Sequence, residues 1–156
     1  MEYTKERLCN CLDKFNFDNI ETEDLVNEID EEMIPIITEL NEKNWITCGC
    51  CSGHLEQIKK TGTYSTYICF SDLLNELPKN PPKINKHNNY SFNWIGNKNK
   101  SIDENEKERK QLIKDLLKWA KKLPVNNNLS KYDNFIEQQK NIFSQLIELG
   151  LVKEIV

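Results

Sequence analysis

Leu8, Cys11, Leu12 and Phe15 recur at helical spacing and predict an amphipathic helix over residues 4–15. "NFDNIET" at 16–22 interrupts it, and a second helical pattern covers about 22–29. Met33, Ile36, Ile37 and Leu40 then form one apolar stripe. Pro35 is tolerated only in a first turn, so that helix starts near Glu32 or Met33. Glu31 and Glu32 suit the positive end of its dipole.

Beyond Asn44 the period changes from helical to alternating. "WITCGC" reads as a strand with Ile46, Cys48 and Cys50 on one face and Trp45, Thr47 and Gly49 on the other. In "TYSTYICF", Tyr64, Thr66, Ile68 and Phe70 alternate with Ser65, Tyr67 and Cys69, the clearest strand in the chain. The two strands are expected to pair as a hairpin through "SGHLEQIKKTG", a long polar connection ending in Gly62. Structureless loops of that length tend to be functional or disordered.

Ser71 is placed to cap a short helix, "DLLNEL", that Pro78 terminates, and "YSFNWI" at 90–95 reads as a third strand. A charged helix from about Asp103 to Lys122 turns Leu112, Ile113, Leu116, Leu117, Ala120 and Leu123 inward. Ser130 caps a last helix expected to bury Phe135, Ile142, Phe143, Leu146 and Ile147, with Gly150 as its C-terminal stop. The predicted fold class is α+β (or three-layer α/β): a single domain over 1–156 with a small, mainly antiparallel sheet packed by several helices. Its core motif region is 29–70, and its C-terminal part, 102–150, is helical.

Composition narrows the setting. At 156 residues the chain can bury one real core. No run approaches the roughly 18 apolar residues of a membrane span, and "MEYTKERLCNCLDKF" lacks the apolar segment of a secretory signal. A cytoplasmic protein with no membrane partner is the expectation. Its six cysteines are then free, metal-bound or catalytic rather than a disulfide framework. A net charge of -4 weighs against a nucleic-acid partner, and the isolated lysine clusters read as solvated faces. A homo-oligomer, with a pocket formed between subunits, is compatible with the sequence.

Candidate chemistry concentrates in "CGCCSGH", residues 48–54. Cys48, Cys50, Cys51 and His54 offer the four ligands of a closed zinc site, and Cys69 is a further candidate. Strand geometry resists that set: Cys48 and Cys50 would project about 7 Å apart, whereas thiolates on one zinc sit about 3.8 Å apart. Cys9 and Cys11, two apart on a helix, point away from each other. A nucleophilic Cys51 with His54 as acid/base is a second reading, although no orienting carboxylate can be named and the other histidine, His87, is distant in sequence. Buried strand cysteines with a solvated His54 are the bland reading. A ligand-binding loop is the fourth: Thr47, Cys51, Ser52, Gly53 and His54 as its floor, Lys59 and Lys60 near an anionic group, and Tyr67 and Trp94 as a stacking wall.

"IDEEMIPIITELNEKNWITCGCCSGH" followed by "TYSTYICF" resembles a group of phage and Gram-positive bacterial proteins. These carry an amphipathic helix, an Leu-Asn turn, a strand, a C-S-G-H loop and a Y-I-x-F strand. The likeness spans about residues 29–70 and rests on Leu40-Asn41, Thr47 and Cys51-Ser52-Gly53-His54. The same order is more distantly similar to the wybutosine-synthesis methyltransferase family, whose "T-x-S-S-C-S-G-R" segment borders the substrate and S-adenosylmethionine site. Thr47, Cys51, Ser52 and Gly53 match that motif, His54 stands at its arginine, and Gly49 and Cys50 replace its serines. The resemblance implies a site at this loop, and a phage protein that sequesters a host defence signal.

The expected function is therefore binding of a nucleotide-like or anionic small molecule at Cys51–His54, with no cofactor. An enzyme acting on a nucleotide-related substrate through His54, and a zinc-stabilised interaction module, are the alternatives.

Overall fold

The computed structural model describes residues 2–15, 22–84 and 86–151, with the side chain of Lys86 left out. All but Thr22 of the interruption expected at 16–22 lies outside them. Helix α1 (Lys5–Asp13) starts where Thr4 Oγ1 accepts the Arg7 N–H at 3.0 Å. Helix α2 spans Thr22–Asn27, and a 3-10 turn at Glu31–Met33 leads into α3 (Ile34–Glu42). Pro35 sits in the first turn of α3, where a missing N–H breaks no hydrogen bond. Met33, Ile36, Ile37 and Leu40 are all buried, as their spacing predicts.

Four strands follow: β1 (Thr47–Cys51), β2 (Ser65–Phe70), β3 (Lys86–His87) and β4 (Ser91–Ile95). Every pairing is antiparallel and the spatial order is β1-β2-β4-β3, which makes the fold α+β. Helix α4 (Leu55–Thr61) joins β1 to β2, while α5 (Ile102–Lys122) and α6 (Ser130–Glu148) close the chain. Ile68, Phe92 and Trp94 pack from the inner face of the sheet. Phe92 meets Phe70 edge-on at 5.6 Å and Trp119 of α5 at 6.1 Å. Each such side chain contributes about 1.5–3 kcal/mol on burial.

Helix α5 opens with a reciprocal cap: Ser101 Oγ accepts from Glu104 N–H and Glu104 accepts from Ser101 N–H. Its buried stripe is Asn105, Arg109, Leu112, Leu116, Trp119 and Ala120. Asn105 Nδ2 donates to Gly62 O at 3.0 Å and Asn97 O at 2.9 Å, tying the end of α4 to the turn before α5. Among the described residues no helix is long and apolar enough to cross a membrane.

Four local expectations change. In β1, Thr47 pairs with Phe70 and Gly49 with Cys69, so Cys48 is the extra residue of a bulge. It is exposed and does not share a face with Cys50. The loop expected after Cys51 contains α4, stopped by Gly62 at φ 86°, whose N–H reaches Ile58 O at 2.8 Å. The segment after Ser71 forms a turn rather than a helix, Ser71 Oγ accepting the Leu73 N–H at 3.2 Å. In α6 no residue is buried, Leu129 takes the cap position, and Ile142 and Phe143 are about half exposed. Its first turn touches the body through Tyr132, edge-on to Phe15 at 5.5 Å. Periodicity reports that a helix has an apolar face; it does not supply what covers that face.

Candidate functional site

Residues 51–54 leave the sheet through a turn that only particular residues tolerate. Gly53 has φ +84°, and a Cβ there would lie 2.8 Å from Thr66 Oγ1 and 3.2 Å from Tyr64 Cβ. His54 follows at φ 29° and ψ 142°, outside the region a side chain prefers. Such a conformation costs about 1–3 kcal/mol and persists only where the surroundings impose it.

The surroundings do impose it. Ser52 is 1% exposed, and its carbonyl accepts from Thr66 Oγ1 at 2.9 Å and from Arg109 Nη1 at 3.2 Å. Arg109, 2% exposed, is clamped by Glu106 through two bonds of 2.8 Å and by Glu32 at 2.8 and 3.3 Å. The Glu106 carboxylate raises the Arg109 pKa further, and Arg109 in turn holds Glu106 below the ordinary carboxylate range. A buried, permanent cation on α5 thus anchors the backbone of the turn.

With the backbone fixed, His54 turns toward Asp30, which precedes the 3-10 turn. The Nε2–Oδ1 distance is 3.2 Å, with the His54 side chain 48% and the Asp30 side chain 21% exposed. Asp30 Oδ2 accepts the Ser52 N–H at 2.8 Å, and Cys51 Sγ accepts the Gly53 N–H at 3.4 Å. One donor atom each from Asp30, Cys51 and His54 lie within 4.8 Å of one another. Ser52 Oγ is buried and has no hydrogen-bond partner among the described residues.

Next to this cluster a cleft of about 490 Å³ runs along β1, which is an edge of the sheet. Leu12, Phe15, Leu25 and Ile29 form one side, Gly49, Cys50 and Tyr67 the other, and Glu28 adds a carboxylate. Ile29 and Cys50 immediately precede Asp30 and Cys51, and Tyr67 pairs in register with Cys51, so the cleft ends at the cluster. A larger cavity of about 1040 Å³ lies by Trp45, Trp119, Lys122 and Pro124. Trp119 is ten residues along α5 from Arg109, about 15 Å by helical rise. None of the residues the sequence nominates for the site lines it.

The nominated residues separate. Cys51, Ser52, Gly53 and His54 form the turn, and Tyr67 borders it. Thr47 lines the cleft at the opposite end of β1 from the turn, its Oγ1 accepting from Asn41 Nδ2 at 2.9 Å and its N–H donating to Asn41 Oδ1 at 3.1 Å. Trp94 pairs with Thr66 whereas Tyr67 pairs with Asn93, so the two aromatics project to opposite faces. Trp94 is 1% exposed and donates to Pro82 O at 2.7 Å, a core residue rather than a stacking wall. Lys59 and Lys60 are exposed on the last turn of α4, where cations complement the dipole.

Cys48 and Cys50 do not join the Asp30–Cys51–His54 cluster among the described residues. Burial pushes the Cys50 thiol up to about 12 and also raises Cys48 and Cys69. These three are held as neutral thiols. The backbone N–H groups of Ser52 and Gly53 already serve Asp30 and Cys51.

Asp30 and Arg109 are absent from the sequence-based set. Arg109 leaves a trace, since 105, 109, 112, 116 and 119 share the spacing of one helix face. Asp30 leaves none, because its place depends on how the α2–α3 connection crosses the end of β1. No protein-family model matches the chain, and no curated protein or solved structure is significantly similar to it.

Proposed function

We propose that this protein binds a small molecule in the cleft along β1, with the Cys51–His54 turn and Asp30 at its polar end. The observation that carries the reading is adjacency. An apolar-walled cleft ends at a strained turn whose conformation is imposed by a buried arginine. Ligand sites commonly combine such walls with a few fixed polar groups. A nucleotide-like ligand fits this chemistry: a flat base against Tyr67 and the aliphatic wall, its amino groups toward Glu28 and Asp30. An anionic part would reach His54. The role suggested by the phage-protein resemblance is sequestration without turnover.

The test is a thermal-shift panel of nucleosides, nucleotides and cyclic nucleotides on the parent, His54→Ala and Leu25→Lys. Leu25 is 44% exposed, so the lysine fills the cleft with little effect on folding. At least one compound stabilises the parent and fails to stabilise either variant. No shift with any compound, or equal shifts in all three proteins, contradicts this cleft as the site.

One observation favours a catalytic variant of the same reading. The Asp30–His54 contact beside Cys51 supplies the carboxylate that a thiol–imidazole pair needs for orientation. Mass spectrometry of the ligand after incubation and denaturation separates the two: unchanged mass supports binding alone, and a changed mass that depends on Cys51 and His54 supports catalysis.

A further inference from the structure

We infer that Asp30, Cys51 and His54 form a binding site for zinc or a similar borderline divalent cation, with one coordination position left for water or a ligand atom. The inference uses the same turn as the proposed function but does not require a molecule in the cleft.

Three donor atoms within 4.8 Å of one another all lie within about 2.8 Å of a common centre, against ligand distances of about 2.0–2.3 Å around zinc. Closing that gap takes a shift of well under an ångström in a half-exposed imidazole and a thiol. The 3.2 Å between His54 Nε2 and Asp30 Oδ1 already matches two light ligands at tetrahedral angles on one ion. The donor set is one sulfur, one nitrogen and one oxygen. That mixture suits zinc or cobalt and is too poor in oxygen for calcium or magnesium.

The supporting bonds have the form that metal ligands use. Ser52 N–H occupies Asp30 Oδ2 and leaves Oδ1 toward His54, while Gly53 N–H contacts Cys51 Sγ. Both N–H groups belong to the backbone that Arg109 and Thr66 lock from beneath. The positive φ at Gly53 and His54 is what returns the imidazole to the strand end beside Cys51. On binding, the Cys51 S–H bond breaks, its electron pair goes to the cation and its proton goes to solvent. Asp30 and the thiolate then neutralise the two charges of the ion.

The zinc alternative read from the sequence uses Cys48, Cys50, Cys51 and His54, a set that strand spacing already resists. Cys48 is the exposed residue of the bulge and Cys50 packs between the core and the cleft; the donor that joins Cys51 and His54 is Asp30.

Cobalt(II) titration into chelator-treated, metal-free protein tests the site directly. The parent and Cys48→Ser are expected to show a sulfur-to-cobalt charge-transfer band that saturates at one equivalent and disappears on adding zinc. Cys51→Ser should show no such band, and His54→Gln should bind at least about tenfold more weakly. Metal-free melting temperatures are compared first, and Cys51→Ser, a near-isosteric change, is expected to melt like the parent.

No band in the parent, a band that persists in Cys51→Ser, or equal loss in Cys48→Ser would overturn the inference. So would a rise in melting temperature from magnesium as large as that from zinc. The nucleotide panel run on metal-free protein keeps the two proposals apart. Ligand shifts without a cobalt band sink the cation site alone, and a cobalt band without ligand shifts sinks the cleft reading alone.

Discussion

Arg109 links the fold to the turn, and replacing it gives the most quantitative test of the structure. Arg109→Met removes a guanidinium that is 2% exposed and makes five hydrogen bonds to Glu32, Glu106 and Ser52. Taking one partner from a buried ion pair costs about 3–5 kcal/mol, mostly through the charge left behind. The Glu106 side chain is 13% exposed and bears that penalty, whereas Glu32, at 48%, regains water. Ser52 O keeps its bond from Thr66 at 2.9 Å. The expected loss is therefore at the low end, about 3 kcal/mol, or a fall in Tm of about 6–12 °C for a chain of this size.

Urea titration with thermal melts measures it, and the cycle with Glu106→Met isolates the cause. The double variant should recover at least about 1 kcal/mol relative to additivity, because no carboxylate remains stranded. Arg109→Lys should fall between, keeping the charge and losing the fork. A loss under about 1 kcal/mol for Arg109→Met, or strict additivity in the cycle, would refute a buried clamp.

Three further outcomes follow from the same geometry. Gly53→Ala places a methyl 2.8 Å from Thr66 Oγ1 at φ +84°, and urea unfolding should show a loss of about 1–3 kcal/mol. His54→Gly relieves a backbone at φ 29° and forfeits only a half-exposed contact worth about 0–1 kcal/mol, so its Tm should equal or exceed that of His54→Ala. Acid should destabilise the protein through Glu42, Glu106 and Glu108, whose pKa values are lowered by hydrogen bonds from Arg7, Arg109 and Lys100 respectively. Because the folded values lie below the unfolded 4.5, this stability is complete above that pH and is lost as pH falls through the depressed values. Glu106→Gln, removing the least exposed of the three, should flatten the decline below about pH 4.5 most.

Much of the fold is legible in the chain because it depends on local period. The Met33–Leu40 stripe, the alternation of Tyr64 to Phe70 and the Pro35 start signal each specify an element before any tertiary contact. What escapes depends on register or on partners distant in sequence. A single extra residue at Cys48 breaks the alternation that placed Cys48 and Cys50 together, and no local feature announces the bulge. Trp94 and Tyr67 are both aromatic strand residues, yet a one-residue offset between β2 and β4 sends them to opposite faces.

The turn itself is readable, since a Ser-Gly-His sequence after a strand calls for positive φ at the glycine. Its partners are not. Asp30 is contributed by the connection to α3, and Arg109 by a helix 57 residues away from Ser52 in the chain. An arginine among lysines on a charged helix looks solvated until its place on the buried face is noticed.

The proposed ligand site is the Asp30–Cys51–His54 end of the β1 cleft. Amide chemical-shift mapping on ¹⁵N-labelled protein, with the stabilising compound from the nucleotide panel as titrant, tests it most directly. The largest shifts are expected on Ile29, Asp30, Gly49 to His54 and Tyr67. Shifts concentrated instead around Trp45, Trp119 and Asn126, at the larger cavity, would contradict it.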